Sequence, residues 1–201
     1  MIFESEREIK GPLPSFLPTH ILKAILVIDR NYIGRKALAR ELSLGEGAVR
    51  TMLSKMKNHG IVKCERRGCS LTKKGRELYR KISSHLSISY NLDIPYAKPY
   101  NCAIVLRAGG RFVRKGLEER DMAIVGGAKG ASLFILKSGD LWMPGLENLS
   151  EKYPEITEEI LSKLEIHNGD AVLLAWADDL SSAEYGALNA ALYLLKRMGV
   201  V

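Results

Sequence analysis

Glutamine is absent from this chain of 201 residues, whereas lysine and arginine total 30 and aspartate and glutamate total 23. Cysteine is also scarce, and its three positions (Cys64, Cys69 and Cys102) include no pair at the CxxC spacing of a zinc site. The chain contains no run of 18 apolar residues, and its first ten residues are charged rather than signal-like. The cysteine spacing argues against a zinc centre, the lack of a long apolar run argues against a membrane partner, and the charged first residues argue against secretion. We therefore expect a cytoplasmic protein.

The charge is divided unevenly between the two parts of the chain. Residues 1–90 contain 18 lysines and arginines against 8 acidic residues, a formal charge of +10, whereas residues 91–201 have a formal charge of −3. A basic first part and a mildly acidic second part indicate two tasks, of which the first is binding to a polyanion. The alternative is that lysine-rich solvated faces cluster there by chance.

Residues 33–85 have the most informative pattern in the sequence. Apolar residues recur at helical spacing in residues 34–42 and again in residues 46–59, and Ser43-Leu44-Gly45 separates the two segments. Two short apolar segments, 61–64 and 69–71, then flank the basic turn Arg66-Arg67-Gly68, and another helix is predicted over residues 72–85. Before this region a proline-rich extended arm is expected up to residue 18, followed by a helix over residues 19–29.

This order resembles the winged helix-turn-helix of the large prokaryotic regulator superfamily. The segment Leu71-Thr72-Lys73-Lys74-Gly75-Arg76-Glu77-Leu78 is similar to the turn that follows the wing in many of these regulators. The whole chain looks like archaeal winged-helix regulators with a poorly characterised C-terminal domain. The resemblance implies that the second of the two helices enters the DNA major groove while the basic hairpin lies beside it.

The second part of the chain alternates predicted strands and helices. Strands are expected over residues 101–106, 132–136, 141–143 and 171–176, and helices over residues 117–125, 154–164 and 181–197. The order β-α-β-β-α-β followed by a helix favours a ferredoxin-like sandwich, although another three-layer α/β arrangement is an alternative. With residues 93–99 read as the linker, the sequence predicts an α+β protein with a DNA-binding domain over residues 1–90 and an α/β domain over residues 91–201.

The predicted groove helix, residues 46–59, separates into two faces. At 100° per residue Val49, Met52, Leu53 and Met56 share one face, which we expect to be buried. The opposite face predicts the base-contacting residues, because recognition helices read DNA mainly with their N-terminal half. The candidates for base contacts are Gly47, Arg50, Thr51 and Ser54. The alternative is an ordinary solvated helix face.

Further cations are candidates for contacts with phosphates. Arg66 and Arg67 lie at the predicted hairpin tip, where long cationic side chains reach a DNA backbone or the minor groove. The remaining candidates for phosphate contacts are Lys36, Lys55, Lys73 and Lys74. A charged turn tip is common in proteins, so this prediction depends on the neighbouring helices.

The two cysteines of the hairpin allow two pairings. A two-residue turn at Arg66-Arg67 places Cys64 opposite Cys69, close enough for a cross-strand disulfide. Gly68 favours instead a three-residue loop with a glycine bulge, which pairs Glu65 with Cys69. Two buried thiols are the preferred interpretation, and a redox switch in the hairpin is the minor hypothesis.

Catalytic motifs are not found in the sequence. It contains no GxSxG, no Walker A loop and no GxGxxG after a strand, and its four histidines are dispersed, so we expect neither an enzyme nor a cofactor. Arg107, Arg111 and Arg114, which follow the first strand of the second domain, are candidates for binding a small anionic effector, although a solvated loop is the simpler interpretation.

We therefore expect a sequence-specific transcription regulator that binds double-stranded DNA as a homodimer and senses a ligand or assembles through its second domain. One alternative is an enzyme with an appended winged helix, as in archaeal CTP-dependent riboflavin kinases. Another is a winged-helix module that binds RNA or protein. The sequence does not identify the operator, the direction of regulation or the effector.

Overall fold

The structure of the chain, a computed structural model, describes residues 2–3, 15–28 and 32–201. The chain divides into two compact units, Met1–Ser83 and Ser84–Val201. Helices predominate in the first unit and a six-stranded sheet in the second, so the protein belongs to the α+β class. The predicted N-terminal arm lies largely outside the described residues.

The first unit contains four helices and one hairpin within its described residues. In chain order these are α1 (Pro18–Ile28), α2 (Arg35–Glu41), α3 (Glu46–Asn58), β1 (Val62–Glu65), β2 (Gly68–Leu71) and α4 (Lys73–Ser83). Each has bounds within two residues of the range predicted from the sequence. The strands β1 and β2 form an antiparallel hairpin with a two-residue turn at Arg66 and Arg67.

The core of the first unit is built from the apolar faces of its helices. Ile21, Leu22 and Ile25 of α1 are at most 1% exposed, and Leu38 of α2 and Met56 of α3 are fully buried. Each such side chain contributes about 1.5–3 kcal/mol when it leaves water. Burial of these faces therefore fixes the rotation of each helix about its own axis.

The second unit has six strands and four α-helices. In chain order these are β3 (Leu86–Tyr90), β4 (Tyr100–Leu106), α5 (Leu117–Val125), β5 (Gly130–Lys137), β6 (Asp140–Met143), β7 (Glu147–Asn148), α6 (Leu149–Lys152), α7 (Pro154–Lys163), β8 (Ala171–Ala177) and α8 (Leu180–Arg197). The sheet order is β3-β4-β8-β5-β6-β7, and every neighbouring pair is antiparallel.

The strand order differs from the predicted ferredoxin-like sheet. That arrangement places the first of its four strands between the third and the fourth. Here the last of the predicted strands, β8, lies between β4 and β5 and pairs with both. The ferredoxin-like prediction is therefore wrong, because the long strand β8 makes its hydrogen bonds on both sides in the middle of the sheet. The sheet also contains two strands that were not predicted, β3 and β7.

Helices cover both faces of the central strands. On one face α5 and α8 pack against each other and against β4, β5 and β8. On the other face α6 and α7 contribute Leu149, Ile156 and Ile160 to a core that includes Phe134 of β5. Burial on both faces explains why β4 and β8 are apolar along nearly their whole length rather than alternating.

The boundary between the units lies seven residues before the predicted one. Residues 86–90 form β3 and pair with residues 102–106 of β4, so they belong to the second unit. The predicted linker, residues 93–99, contains a 3₁₀ helix (Pro95–Ala97) and contributes to the core. The buried Asn101 side chain stabilises this segment, accepting a hydrogen bond from the Leu92 N–H at 2.9 Å and donating to the Leu92 carbonyl at 2.8 Å.

Close packing at Gly75 of α4 leads to a stability prediction. A Cβ atom at this position would lie 2.1 Å from the Ile61 carbonyl oxygen, whereas a Cβ at Gly47 of α3 would meet nothing within 4 Å. We expect Gly75→Ala to lower the free energy of unfolding by about 3 kcal/mol or more. Gly47→Ala should instead raise it by up to about 1 kcal/mol, since alanine is the better helix former. Denaturant titration of both variants checks the prediction, and equal stabilities would contradict it.

Candidate nucleic-acid interface

The helix α3 has one buried face and one exposed polar face, as predicted. Val49, Met52 and Met56 are fully buried and Leu53 is 5% exposed. Gly47, Arg50, Thr51 and Ser54, the four candidates for base contacts, are all exposed. The Arg50 guanidinium group makes no hydrogen bond or ion pair with the described part of the chain. The outward face of α3 therefore offers polar groups and a cation for an external ligand.

The turn between α2 and α3 sets the position of this face. Ser43 adopts a left-handed conformation with φ of 51°, and the Leu44 N–H donates to the Ala39 carbonyl at 2.9 Å. Such closure satisfies a carbonyl at the end of α2 and reverses the chain direction within a few residues. Gly45 then provides an extended residue at the start of α3, and the first-turn Glu46 is favourable against the helix dipole.

The hairpin is connected to the segment that precedes α2. Ile33 and Cys69 exchange two backbone hydrogen bonds, of 3.0 and 2.9 Å, so Ile33 extends the hairpin by a third short strand segment. A Cβ atom at Gly68 would lie 2.8 Å from the Ile33 carbonyl oxygen, and Gly68 has a φ of 126°. Gly68 is therefore required by the close approach of Ile33 rather than by a bulge.

Cys64 and Cys69 form a cross-strand disulfide, with a Cα–Cα distance of 3.9 Å. The register pairs Cys64 with Cys69 and Glu65 with Gly68. The preference for two separate thiols was wrong, and so was the three-residue loop, because the two-residue turn places the two sulfurs directly opposite each other. Cys69 is 3% exposed, whereas Cys64 is exposed.

The two tip arginines differ in their contacts. The Arg67 guanidinium group lies 3.8 Å from the ring centroid of Tyr32, donates to the Tyr32 hydroxyl and forms an ion pair with Glu65 at 3.2 Å. The Lys63 ammonium group, followed by the Arg67 guanidinium group, lowers the pKa of Glu65. Arg66 is exposed, and its guanidinium group has no partner among the described residues. Arg67 is thus held against the hairpin, and Arg66 is available to a ligand.

A cleft of about 580 Å³ lies between α3 and the hairpin. It is lined by Gly34, Arg35, Arg50, Leu53, Ser54, Lys57, Cys64, Glu65, Arg66, Arg67, Gly68 and Cys69. Five of these residues are cationic and one is acidic, so the cleft favours a polyanion. Arg35 and Lys57 were not among the predicted site residues. Lys57 lies seven residues after Arg50, a spacing that places both on one helix face and was a usable signal.

The remaining phosphate candidates have different surroundings. The Lys74 ammonium group donates to the His59 carbonyl at 2.9 Å, so it closes the end of α3 rather than projecting freely. Lys36 and Lys73 are exposed, and Lys55 lies half-buried on the flank of α3. Lys73 borders a second cleft, of about 530 Å³, together with Lys63 and Ser70. The side chains of Lys63 and Ser70 point away from the face of the hairpin that carries the disulfide, since successive strand residues alternate in direction.

The proposed effector arginines do not act as one group in the described structure. Arg107 donates to Asp170 at 2.9 Å and to the Glu165 carbonyl at 2.7 Å. The Arg111 guanidinium lies 4.8 Å from the ring centroid of Phe112, and Arg114 is exposed. Among the described residues no hydrogen bond or ion pair joins Arg107 to Arg111 or Arg114, so Arg107 serves the fold of the second unit.

Other kinds of site are not apparent in the described part of the chain. Across residues 2–3, 15–28 and 32–201, no group of three histidine, cysteine, aspartate or glutamate side chains is placed to hold a metal ion. In the same ranges no helix is long and apolar enough to cross a membrane.

Comparison with known proteins identifies two uncharacterised families. Residues 20–77 match the family described as PH0730-like, N-terminal domain, and residues 97–195 match a domain of unknown function (DUF4443). Among solved structures, the hypothetical protein PH0730 from Pyrococcus horikoshii OT3 is 30% identical, with a TM-score of 0.72. The match covers 93% of this chain and 100% of that chain. No curated protein matches the sequence.

The network around Asp170 gives a prediction with a pH dependence. Burial raises the pKa of Asp170, but hydrogen bonds from the N–H groups of Ala108 and His167 and from Arg107 outweigh it and hold the pKa below 3.8. Asp170→Asn should therefore destabilise the protein by about 1–3 kcal/mol at neutral pH, because Arg107 loses its charged partner. A carboxyl group with a depressed pKa stabilises the folded state at pH values above its ordinary pKa of 3.8. This contribution is lost as the pH falls through the lower pKa of the folded state.

Denaturant titrations at pH 7 and near pH 3 measure this difference. The difference in the free energy of unfolding between wild type and Asp170→Asn should be smaller at the lower pH. Asp178→Asn is the matched control, since its ion pair with Lys129 is exposed and contributes little. An equal difference in unfolding free energy at both pH values would contradict the conclusion that Asp170 has a depressed pKa.

Proposed function

The chain belongs to the PH0730-like family of archaeal-type two-domain proteins, and we propose that it is a transcription regulator that binds double-stranded DNA. In this proposal the first unit is a winged helix-turn-helix, with α2 and α3 as the helix pair and the β1–β2 hairpin as the wing. The observation that carries it is the cleft in which the outward face of α3 and the unpaired Arg66 lie side by side.

The dimensions and chemistry of α3 support its role as the groove helix. A major groove of about 12 Å accepts one α-helix, and the polar face of α3 presents Arg50 with Thr51 and Ser54 beside it. An arginine donates two hydrogen bonds to a guanine edge, and hydroxyl groups accept or donate to several bases. Gly47, near the N-terminus of α3, allows the backbone to approach a base edge or phosphate closely.

The hairpin supports a second contact with the duplex. Arg66 is the tip residue available for the DNA backbone or minor groove, while Arg67 is held by Tyr32 and Glu65. Candidates for further phosphate contacts are Arg35, Lys36, Lys57 and Lys73, which are all exposed, together with Lys55 on the flank. Contacts of this kind fix the orientation of the protein but do not read sequence.

The second unit is proposed to assemble the protein and to sense a ligand. A winged-helix regulator commonly reads two half-sites, which requires two copies related by a two-fold axis. The apolar stripe of α8, including Leu188, Leu192 and Leu195, is at most 3% exposed within the unit. The outer strands β3 and β7 are therefore better candidates for the dimer interface than α8. Arg111 and Arg114 remain candidates for an anionic effector.

Two substitutions test the division of roles between helix and wing. Arg50→Ala should cost about 1–3 kcal/mol on the preferred site and relax base choice at one position, because Arg50 is assigned to a base edge. Arg66→Ala should weaken binding to all duplexes similarly and reduce the log–log salt slope by about 0.9, the value for one phosphate. The measurements are affinities at several salt concentrations for a duplex selected from a random pool and for a scrambled duplex.

Arg120→Ala is the matched control for this experiment. Arg120 is exposed on α5 in the second unit, so its substitution removes the same charge without touching the proposed interface. Equal, sequence-independent losses for Arg50→Ala and Arg66→Ala would contradict the assigned orientation of α3. Binding to RNA or to protein without any duplex affinity would instead favour the alternative use of a winged helix.

The assembly proposal predicts a homodimer of the full chain. Light scattering at tens of micromolar should give twice the chain mass of 22.3 kDa. A monomer at this concentration would remove the assembly role of the second unit and would make a palindromic operator hard to defend.

A further inference from the structure

We propose that the Cys64–Cys69 disulfide is a redox-modification site that controls the affinity of the hairpin for DNA. The disulfide form is the strong binder, and the dithiol form binds more weakly. This inference rests on the proposed function, because it names a way in which the same DNA-binding surface is regulated.

The position of the disulfide links it to the proposed interface. Both cysteines line the cleft that also contains Arg50 of α3 and Arg66 of the hairpin. One residue pair, Glu65 and Gly68, separates the disulfide from the two-residue turn, so the disulfide closes a ring of six residues with Arg66 at its tip. A change in this ring therefore acts directly on the available tip cation.

The two strands of the hairpin are anchored unequally. Cys69 of β2 is buried and exchanges two backbone hydrogen bonds with Ile33. Cys64 of β1 is exposed, and near the tip the side chains of this strand form only solvent-exposed ion pairs at Glu65, which contribute little. The disulfide therefore adds a covalent constraint between β1 and β2 to the backbone pairing of the strands and to the contact of Arg67 with Tyr32.

Loss of that constraint has a defined effect on binding. Without the disulfide the tip samples more conformations in the unbound protein, and DNA binding must then order the backbone and the Arg66 side chain. Ordering one long side chain at an interface weakens binding by about three- to ten-fold. The residual affinity comes from α3, whose apolar face stays buried in either redox state.

The redox step is a thiol–disulfide exchange with a dithiol reductant. One thiolate of the reductant attacks the Cys64 sulfur, breaks the S–S bond and releases Cys69 as a thiolate that takes up a proton. The second thiol of the reductant, as its thiolate, then attacks the mixed disulfide, releasing Cys64 as a thiol and the reductant as a disulfide. Two electrons and two protons pass to the protein, and the dithiol is oxidised.

Access and charge favour this direction of attack. Cys64 is exposed at the open cleft, whereas Cys69 is 3% exposed, so the reductant reaches the Cys64 sulfur first. Cations beside the disulfide, Arg66 among them, stabilise the thiolates formed in the exchange. Cys102, the third cysteine, is fully buried in β4 and is not exposed to the reductant.

The experiment compares the two redox states of the full chain on a mixed-sequence 30-base-pair duplex at low salt. Protein with the disulfide and protein reduced by dithiothreitol are verified by thiol counting, and their affinities are measured by fluorescence anisotropy. We expect reduction to weaken binding about three- to ten-fold. Cys64→Ser/Cys69→Ser should bind like the reduced protein under both conditions, and Cys102→Ala should keep the full response.

Two further measurements identify the tip as the responsive element. In Arg66→Ala the redox response should largely disappear, because the residue whose ordering the disulfide controls has been removed. By linkage, saturating duplex should shift the disulfide–dithiol equilibrium toward the disulfide by the same factor as the affinity difference. A tenfold difference corresponds to about 30 mV for this two-electron couple.

The outcomes separate this inference from the proposed function. Equal affinities in the two verified states, or tighter binding after reduction, would overturn the inference while leaving DNA binding intact. A response that persists unchanged in Arg66→Ala would overturn the role of the tip. No duplex binding in either state would overturn the proposed function and this inference with it. If the double serine variant fails to fold, the affinities of oxidised and reduced wild-type protein still test the inference.

Discussion

Burial of one face of α3 is the constraint on which the candidate interface depends. Val49, Met52 and Met56 are fully buried, and each apolar side chain of this kind loses about 1.5–3 kcal/mol when it is returned to water. Rotation of α3 by a quarter turn would expose part of this face, so the helix has one favourable orientation. The outward position of Arg50 and Ser54 is therefore a consequence of hydrophobic packing on the opposite side.

The hairpin depends on a second, non-local constraint. Ile33 lies before α2 in the sequence, yet its backbone pairs with Cys69 and extends the hairpin. The same segment continues directly into α2, so the helix pair and the hairpin share one hydrogen-bonded connection. Gly68 permits this contact because any side chain there would meet the Ile33 carbonyl. The relative position of the two proposed DNA-contacting elements is thus encoded in a single short crossing.

Local patterns predicted more of this structure than contacts distant in sequence. The faces of α3 followed from a period of 3.6. The alternation in Leu86-Ser87-Ile88-Ser89-Tyr90, directly after the helix predicted to end at residue 85, was a usable signal for the unpredicted strand β3. The glycine bulge expected at Gly68 was wrong, because a glycine is required there by the close approach of Ile33, which lies 35 residues earlier in the chain. The central position of β8 in the sheet was also not predictable from local patterns, since the sequence of an apolar strand does not indicate which strands pair with it.

The charge of a region overstates the charge it offers to a ligand. Residues 1–90 have a formal charge of +10, but the fold uses several of these cations for its own contacts. Lys63 and Arg67 share Glu65, and Lys74 closes the end of α3. The cations that line the cleft without such a contact in the described chain are Arg35, Arg50, Lys57 and Arg66. Counterion release depends on the cations that reach phosphates, so the salt dependence of the proposed DNA binding should reflect the cations that the fold leaves available rather than the formal charge.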